Sequence, residues 1–393
     1  MSKLQVAFAV QRYGLEVNGG AELHARLVAE HMNRHWEIQV LTSCALDYIT
    51  WRDFYKKGID RVNSIKILRF PVRKERNLER FARIQEKIFQ NEHSVSDEID
   101  WINENGPYCP DLIKWLEKHR NDFNYFIFFS YRYYHSYWGI NSIPEKSILV
   151  PTAEHDEVLY MRVFRDIFKN ARGIIYNSLE EKELINNISK NFDVPSDIVG
   201  LGINKFADIN PERFRKKYRI EDEFIVYVGR IDENKGCKEL FEYFLEYKKR
   251  KKGNVKLILI GSPVMRIPQN KDLIYLGFIP EEDKWDALAA SSFLIMPSFY
   301  ESLSIVTLEA WAAEKPVLVN GKCEVLKGQA LRSNAGLFYT NYEEFEECME
   351  FLLKNRDFNI SMGKNGKEYY ENNYRWEIIE SKYLKLIERI TET

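Results

Sequence analysis

Two glutamates with seven residues between them stand in the segment 293–320, where an apolar run is followed by a loop and a helical pattern. Glu301 lies on the loop, at the carboxyl end of a predicted strand, and Glu309 lies within the predicted helix. The free backbone N–H groups at the helix start, around 304–307, attract a phosphate or another anion. This order of acid, anion site and acid suits a ligand with a central phosphate and hydroxyls at both ends, such as a nucleotide-sugar. An ordinary loop acid and a solvated helix acid are the alternative.

Two cations in the second half of the chain lie close to another predicted helix start. Arg230 and Lys235 belong to the loop 229–236, between a predicted strand at 224–228 and a predicted helix at 238–249. Cations beside a helix N-terminus suit a diphosphate. Solvated surface cations are the alternative, but a glycine at each end of the loop favours a defined shape.

The first half of the chain offers a glycine pair and a histidine. Gly19 and Gly20 stand between the first predicted strand and a predicted helix at 21–32. That is the position of a phosphate cradle, although the spacing of a dinucleotide site is missing, and a structural tight turn is the alternative. His155 follows a predicted strand at 147–151, so we expect it at the carboxyl end of a sheet.

An aromatic cluster follows a predicted strand at 125–129. It begins with Tyr131, Arg132 and Tyr133 and continues to Trp138. So many rings after one strand suit a platform for a sugar or an acceptor, and core packing explains them nearly as well.

A basic stretch at 72–90 interleaves six cations with apolar residues. Such a pattern suits contact with an anionic membrane surface. Three glutamates dilute the charge, which favours a solvated helix face.

The composition excludes several classes of protein. A net charge of -2 over 393 residues gives no electrostatic case for nucleic acid. The five cysteines are scattered without metal-ligand spacing, which indicates reduced thiols in a cytoplasmic protein. No apolar run is long enough to span a membrane, and the first one is too short for a signal peptide.

The elements that must position these residues form two successive series of strands and helices, each typical of an α/β domain on a parallel sheet. We predict a first domain at 1–203 and a second at 204–375. The final helix, 376–393, is predicted to cover one domain or to pack back on the first.

In their order along the chain, these residues resemble the retaining glycosyltransferases of family 4. That family has the GT-B architecture, two Rossmann-like domains with parallel sheets facing across a cleft. The resemblance covers nearly the whole chain and is weakest at 45–145. The matching residues are Asn18, Gly19, Gly20, Ala21, Glu22, His155, Asp156, Gly229, Arg230, Lys235, Gly236, Gly277, Phe278, Ile279, Glu301, Glu309, Ala312, Lys315, Pro316 and Val317.

The resemblance implies a catalytic or binding role for the charged residues. Arg230 and Lys235 would hold the donor's diphosphate and stabilise it as the leaving group. Glu301 would contact the transferred sugar, and Glu309 would bind the ribose hydroxyls. His155 would hydrogen-bond the sugar near its anomeric carbon.

The remaining site residues follow from the same resemblance. The first domain would bind the acceptor, with Tyr131, Arg132 and Tyr133 as its contacts. The family often has glycines where this chain has Ser302 and Ser304, and the added side chains narrow the room beside the sugar. The other donor contacts would be Gly19 and Gly20 at the phosphates, Phe278 and Ile279 at the base, and Ser304, Ile305 and Val306 at the helix start.

The predicted function is transfer of a sugar, with retention, from a UDP- or GDP-linked donor to a saccharide or lipid-linked acceptor. The expected setting is polysaccharide or glycoconjugate synthesis on the cytoplasmic side, with peripheral contact at the inner membrane face as a further expectation. No acidic cluster stands near the cations, so no metal or other cofactor is expected. A sugar phosphorylase or nucleotide-sugar epimerase of the same fold is one alternative, and a non-catalytic nucleotide-sugar binder is the other.

Overall fold

The computed structural model describes residues 3–17, 19–251 and 253–392, and the chain divides into two compact units. Unit 1 comprises residues 1–202 and 379–393, and unit 2 comprises residues 203–378. Each unit is built on a sheet of mostly parallel strands with helices, which confirms the predicted α/β class.

In the described part of unit 1, eight strands form one sheet. They are β1 (Gln5–Ala9), β2 (Glu37–Ser43), β3 (Gly58–Val62), β4 (Ile65–Phe70), β5 (Tyr125–Phe129), β6 (Ser147–Val150), β7 (Gly173–Tyr176) and β8 (Ser196–Ile198). Their order is β3-β4-β2-β1-β5-β6-β7-β8, and each neighbouring pair is parallel except β3 with β4. The central strands are apolar on both faces, as a covered parallel sheet requires, and residues 126–129 are fully buried.

The helices of unit 1 connect these strands. They are α1 (Gly20–Met32), α2 (Leu78–Gln90), α3 (Val95–Asn105), α4 (Pro110–Lys118), α5 (Tyr134–Ser142), α6 (Arg162–Asn170) and α7 (Leu179–Ser189). A short 3-10 turn, Glu157–Tyr160, follows the loop that carries His155. Neither α3 nor α4 was predicted from the sequence, although α4 has the spacing of an amphipathic helix, with Leu112, Ile113 and Leu116 buried.

Unit 2 repeats the same construction. Its strands are β9 (Phe224–Val228), β10 (Lys256–Ile260), β11 (Leu273–Gly277), β12 (Leu294–Met296), β13 (Val317–Asn320) and β14 (Gly336–Tyr339). They form an all-parallel sheet in the order β11-β10-β9-β12-β13-β14. The order therefore reverses between β9 and β12, which creates a topological switch point at the carboxyl edge of the sheet.

The remaining helices complete unit 2 and return the chain to unit 1. They are α8 (Pro211–Tyr218), α9 (Cys237–Arg250), α10 (Glu281–Ala290), α11 (Ile305–Ala312), α12 (Glu324–Ser333), α13 (Tyr342–Lys354), α14 (Arg356–Asn373) and α15 (Trp376–Glu392). All but the first three residues of α15 belong to unit 1. Within that unit, Glu380 of α15 pairs with Arg34 and His35 beside the end of α1.

The basic stretch at 72–90 leads into and forms α2. Four of its six cations pair with carboxylates of unit 1, so much of its charge is already neutralised within the protein. The pairs are Arg73 with Asp111, Lys74 and Arg80 with Glu104, and Lys87 with Asp97. These pairs favour the solvated protein face, and membrane contact stays a prediction. Across the described ranges, no helix combines the length and the apolar character needed to cross a bilayer.

Candidate functional site

The loops that follow β9 and β12 lie side by side, because these two strands pair at the switch point of unit 2. Open parallel sheets collect their ligands at this place. The first loop carries Arg230 and Lys235, and the second carries Glu301. Lys235 Nζ donates to Glu301 Oε1 at 2.7 Å, so the structure brings two predicted catalytic residues into direct contact.

The contact between Lys235 and Glu301 is partly shielded from water. The Lys235 side chain is 27% exposed and that of Glu301 is 12% exposed. Their charges interact more strongly there than on an open surface. A diphosphate that binds Lys235 would therefore compete with the Glu301 carboxylate for the same ammonium group.

Asp232 fixes both cations of the first loop. Its Oδ1 accepts the backbone N–H of Lys235 at 2.7 Å, and its Oδ2 pairs with the Arg230 guanidinium. Its position three residues before Lys235 is a local turn signal, because Asp side chains often bond the backbone two or three residues on. Sequence reasoning gave Asp232 no role, and we name Arg230, Asp232, Lys235 and Glu301 the β9–β12 cluster.

Glycines hold this cluster together by close backbone packing. Gly236 has φ 71°, and a Cβ built on it would meet the Pro297 carbonyl oxygen at 2.0 Å. A Cβ on Gly261, at the end of β10, would meet the Gly229 carbonyl oxygen at the same distance. The loops after β9, β10 and β12 are therefore packed backbone against backbone, which only glycine permits.

Glu309 lies in α11 and is nearly buried, with 7% of its surface exposed. Its Oε1 accepts Lys284 Nζ of α10 at 2.8 Å. Sequence reasoning found Glu309 but not Lys284, because the pairing joins two helices that are far apart in the chain. A helical separation of three residues between Glu281 and Lys284 was the one local signal.

The start of α11 contains the predicted anion-binding residues Ser304, Ile305 and Val306. Ser304 occupies the N-cap position, but its side chain does not cap the backbone. Its hydroxyl instead accepts the Thr307 hydroxyl at 2.8 Å. The helix start keeps its positive end for an anion without competition from the serine.

The predicted base contacts differ from each other in exposure. Phe278 is 73% exposed, whereas Ile279 is buried at 7%. Gly277 before them has φ 74°, and its carbonyl accepts the Gly261 N–H at 2.9 Å. Phe278 is thus the member of this pair whose ring a ligand can reach.

The predicted glycine loop of unit 1 is organised around a buried ion pair. Arg12 Nε donates to Glu22 Oε1 at 2.8 Å, and both side chains are buried. A Cβ on Gly19 would meet Glu22 Oε2 at 2.0 Å, while a Cβ on Gly20 would meet open space. Asn18 lies outside the described residues. A Cβ on Gly19 would therefore press against the carboxylate of this ion pair, which supports the structural reading of this turn.

His155 lies in the loop after β6, at the carboxyl edge where it was expected. Its Nε2 lies 2.7 Å from the Tyr160 hydroxyl. The neighbouring Asp156 pairs with Arg132 at 2.8 Å, so a predicted acceptor residue is tied to the same loop. These contacts lie within unit 1, and the catalytic role of His155 stays a prediction.

Part of the aromatic cluster that follows β5 belongs to the core of unit 1. Tyr131 has no exposed surface and packs against Phe164 and Phe168 of α6. It therefore fills the interior instead of presenting a surface to an acceptor. Tyr133 stacks near His135 and meets Trp51 edge-to-face.

Glu181 is a buried carboxyl group that sequence reasoning did not single out. It accepts the backbone N–H of Ala153 at 2.6 Å and that of Asn177 at 2.5 Å, which joins the loops after β6 and β7. Ser178 caps the same helix by accepting the Glu181 N–H. Burial raises the pKa of Glu181 to about 8.

We expect Glu181→Gln to destabilise unit 1, most strongly at low pH. The Gln amide nitrogen faces a backbone N–H, and an unsatisfied buried donor costs about 1–3 kcal/mol. In the native protein Glu181 keeps its proton until about pH 8, whereas the unfolded chain loses it near 4.5. The free energy of unfolding of the wild-type protein therefore falls as pH rises from about 4.5 to about 8. The glutamine of the variant does not titrate, so the variant does not show this decrease.

The measurement is the melting temperature of both proteins between pH 5 and pH 8.5. The melting temperature of Glu181→Gln should lie furthest below that of the wild type at pH 5, and the difference should become smaller as pH rises. Glu183→Gln, on the exposed face of the same helix, is the matched control. A difference that widens with pH would contradict the assigned protonation of Glu181.

Metal binding was not expected from the sequence. Among the described residues, no group of three or more His, Cys, Asp or Glu side chains is arranged to hold a metal ion. Metal independence stays a prediction.

Comparison with known families and proteins matches part of unit 2 to one family. Residues 209–369 match the family described as glycosyl transferases group 1. The chain is 26% identical over 221 residues to an uncharacterized glycosyltransferase of Methanocaldococcus jannaschii, which covers 50% of this chain and 56% of that protein. The chain thus spans about half the length of the curated relatives it matches.

Solved structures resemble the chain over nearly its whole length. Sucrose-phosphate synthase from Thermosynechococcus elongatus superposes with a TM-score of 0.74 at 16% identity, covering 99% of this chain and 100% of that chain. HepE of Anabaena, in complex with UDP-glucose, gives a TM-score of 0.71 at 13% identity, covering 99% of this chain and 100% of that chain. At such low identity the likeness concerns the fold, and it confirms the predicted GT-B class.

Proposed function

We propose that the protein is a glycosyltransferase, because residues 209–369 match the family described as glycosyl transferases group 1. It moves a sugar from a nucleotide-diphosphate donor to a hydroxyl of a saccharide or lipid-linked acceptor. The observation that carries the proposal is the β9–β12 cluster, in which Lys235 and Glu301 meet at the switch point of unit 2. The UDP-glucose complex of HepE supports a nucleotide-sugar as the donor.

The proposed mechanism neutralises the leaving group. Negative charge grows on the diphosphate as the anomeric bond breaks, and Arg230, Lys235 and the α11 start offer preformed positive charge to meet it. Asp232 holds the loop, so this charge needs little reorganisation during the reaction. We propose that the reaction proceeds with retention and without a metal, and that the acceptor binds unit 1.

The biological setting follows at the level of the family. We propose synthesis of a polysaccharide or another glycoconjugate on the cytoplasmic side of the membrane. Unit 1 offers Arg132, tied to Asp156, and Tyr133 as predicted acceptor contacts that are partly exposed.

A thermal-shift panel of UDP-glucose, UDP-galactose and GDP-mannose tests the proposal. A donor that binds only the folded state raises the melting temperature. Release of UDP or GDP after addition of saccharide acceptors would then separate an enzyme from a non-catalytic binder. Turnover of a sugar 1-phosphate in place of nucleotide-sugar would favour the phosphorylase.

We expect Glu309→Ala to weaken donor binding by about 10- to 150-fold. A hydrogen bond to a charged group contributes about 1.5–3 kcal/mol, and the proposed role of Glu309 is to accept ribose hydroxyls. Isothermal titration with the donor found in the panel measures the effect. Glu347→Ala, at an exposed position of α13, is the matched control. Equal affinity in Glu309→Ala and wild type would place the ribose elsewhere.

A further inference from the structure

Lys284 joins the buried glutamate of α11 to α10. Its Nζ lies 2.8 Å from Glu309 Oε1 and 2.6 Å from Glu281 Oε1. The Lys284 and Glu309 side chains are 16% and 9% exposed, whereas that of Glu281 is 59% exposed. The ammonium group is therefore shared by one surface carboxylate and one buried carboxylate.

The ion pair with Lys284 determines whether the Glu309 carboxyl group is charged. Burial raises the pKa of Glu309, and the neighbouring Lys284 opposes this rise. An isolated carboxylate in such a place would take up a proton, because burial disfavours the charged form. Lys284 itself stays protonated, since the two carboxylates raise its pKa although burial alone would lower it.

The charged groups acting on Glu309 among the described residues are Lys284 and Glu281, both on α10. The other helix packed against α11 is α14, which meets it through Tyr369 and Gly366 at Trp311. These contacts are apolar. Lys284 is therefore the cation on which the ionisation of Glu309 depends.

The pairing also leaves one carboxylate oxygen for a ligand. Lys284 binds Oε1, so Oε2 is the oxygen that can accept hydroxyl donors. A fixed carboxylate with one oxygen occupied is better ordered for this purpose than a freely rotating one. The geometry thus makes Glu309 an oriented acceptor.

We propose that Lys284 is a positioning residue of the donor site, which keeps the Glu309 carboxylate charged and oriented for the ribose hydroxyls of a nucleotide. This inference rests on the proposed function, because it assumes that Glu309 binds the ribose. Lys284 acts through Glu309 and not by touching the reacting atoms.

The test measures the affinity for UDP and for GDP by isothermal titration between pH 5.5 and 8.5. The variants are Lys284→Met, Lys284→Arg, Glu309→Gln and the double variant Lys284→Met with Glu309→Gln. We expect Lys284→Met to bind about 10-fold more weakly at pH 6, as for the loss of one charged hydrogen bond, and to recover as the pH rises. The recovery is expected because burial raises the pKa of Glu309 and the variant lacks the cation that opposes this rise. Lys284→Arg should keep the wild-type profile.

The double variant separates positioning from a direct contact. If Lys284 acts through Glu309, the double variant should bind no more weakly than Glu309→Gln alone. Additive losses would overturn the inference, because they would give Lys284 its own contact with the nucleotide. Lys284→Gln repeats the test where methionine disturbs folding. Wild-type affinity of Lys284→Met and Lys284→Gln at every pH also overturns the inference.

The same titrations distinguish an error in the proposed function from an error in the inference about Lys284. Wild-type protein that binds neither UDP, GDP nor any donor of the panel would overturn the function, and the inference with it. Wild-type binding with an unchanged Lys284→Met profile would overturn the inference alone. Glu347→Gln, at the exposed position of α13, serves as the control for a general charge effect and should leave binding within about twofold of wild type.

Discussion

Lys235→Ala should lower kcat by about 10²- to 10³-fold, while the donor KM changes much less. Removing one preformed donor that meets charge developing in the transition state has an effect of this size. The full charge on the diphosphate is present only once the anomeric bond has broken, so the loss falls mainly on the rate. Steady-state kinetics with the donor identified by thermal shift supply both constants.

The pairing of Lys235 with Glu301 calls for a second variant. Truncation of the lysine leaves a carboxylate that is 12% exposed without its cation, which can itself disturb the site. Lys235→Ala combined with Glu301→Gln removes this charge. Glu301→Gln alone is the reference, because Glu301 is itself expected to contact the transferred sugar. If the double variant has a kcat about 10²- to 10³-fold below that of Glu301→Gln, the loss belongs to the missing ammonium group. Recovery to the kcat of Glu301→Gln would assign it to the unpaired carboxylate.

Lys238→Ala is the matched control for Lys235→Ala. Lys238 lies three residues further on, at an exposed position of the first turn of α9. It offers the same chemistry without contact to Glu301, so we expect kinetics within about twofold of wild type. A kcat of Lys235→Ala as high as that of this control would contradict the assignment of the leaving-group site.

Much of the fold of unit 2 follows from local patterns. The apolar run before Pro297 and the helical spacing after Ser304 predicted β12 and α11, and the structure places them at Leu294–Met296 and Ile305–Ala312. Parallel strands covered on both faces are apolar and short, so their signal is strong even in a single sequence. The carboxyl-edge position of Glu301 followed from the same pattern.

The contacts inside the site could not be predicted in the same way. Lys235 and Glu301 are 66 residues apart in the chain, and Lys284 and Glu309 are 25 apart. Such pairs meet only because the sheet order places β9 beside β12 and packs α10 near α11, which no local pattern states. Asp232 is different, since its bond to the Lys235 N–H is local and was available as a turn signal.

Unit 1 shows where periodicity fails. The edge strand β3 was not predicted, because it alternates weakly and leaves Ile59 76% exposed. An edge strand buries little, so its apolar pattern is diluted. Tyr131 was given a role that its burial does not support. An aromatic residue can pack in the core or bind a ligand, and its type alone does not distinguish the two.

Gly236→Ala should destabilise unit 2 by about 2–5 kcal/mol and reduce donor binding together with stability. The left-handed φ of 71° costs a residue with a Cβ about 1–2 kcal/mol. The new methyl group would also lie 2.0 Å from the Pro297 carbonyl oxygen, and overpacking of this kind costs about 1–3 kcal/mol. Urea unfolding followed by tryptophan fluorescence, with the donor present and absent, measures both effects.

A methyl group on Gly236 would also affect the β9–β12 cluster. Pro297 begins the loop that carries Glu301, and Gly236 is the N-cap of α9, directly after Lys235. Relief of the clash must separate these two loops and thus lengthen the 2.7 Å contact between Lys235 and Glu301. Gly253→Ala is the matched control, because its Cβ meets no atom within 4 Å, and we expect it to be neutral or stabilising by up to about 1 kcal/mol. If Gly236→Ala unfolds at the same urea concentration as Gly253→Ala and binds donor equally well, the two loops are not packed as closely as the structure places them.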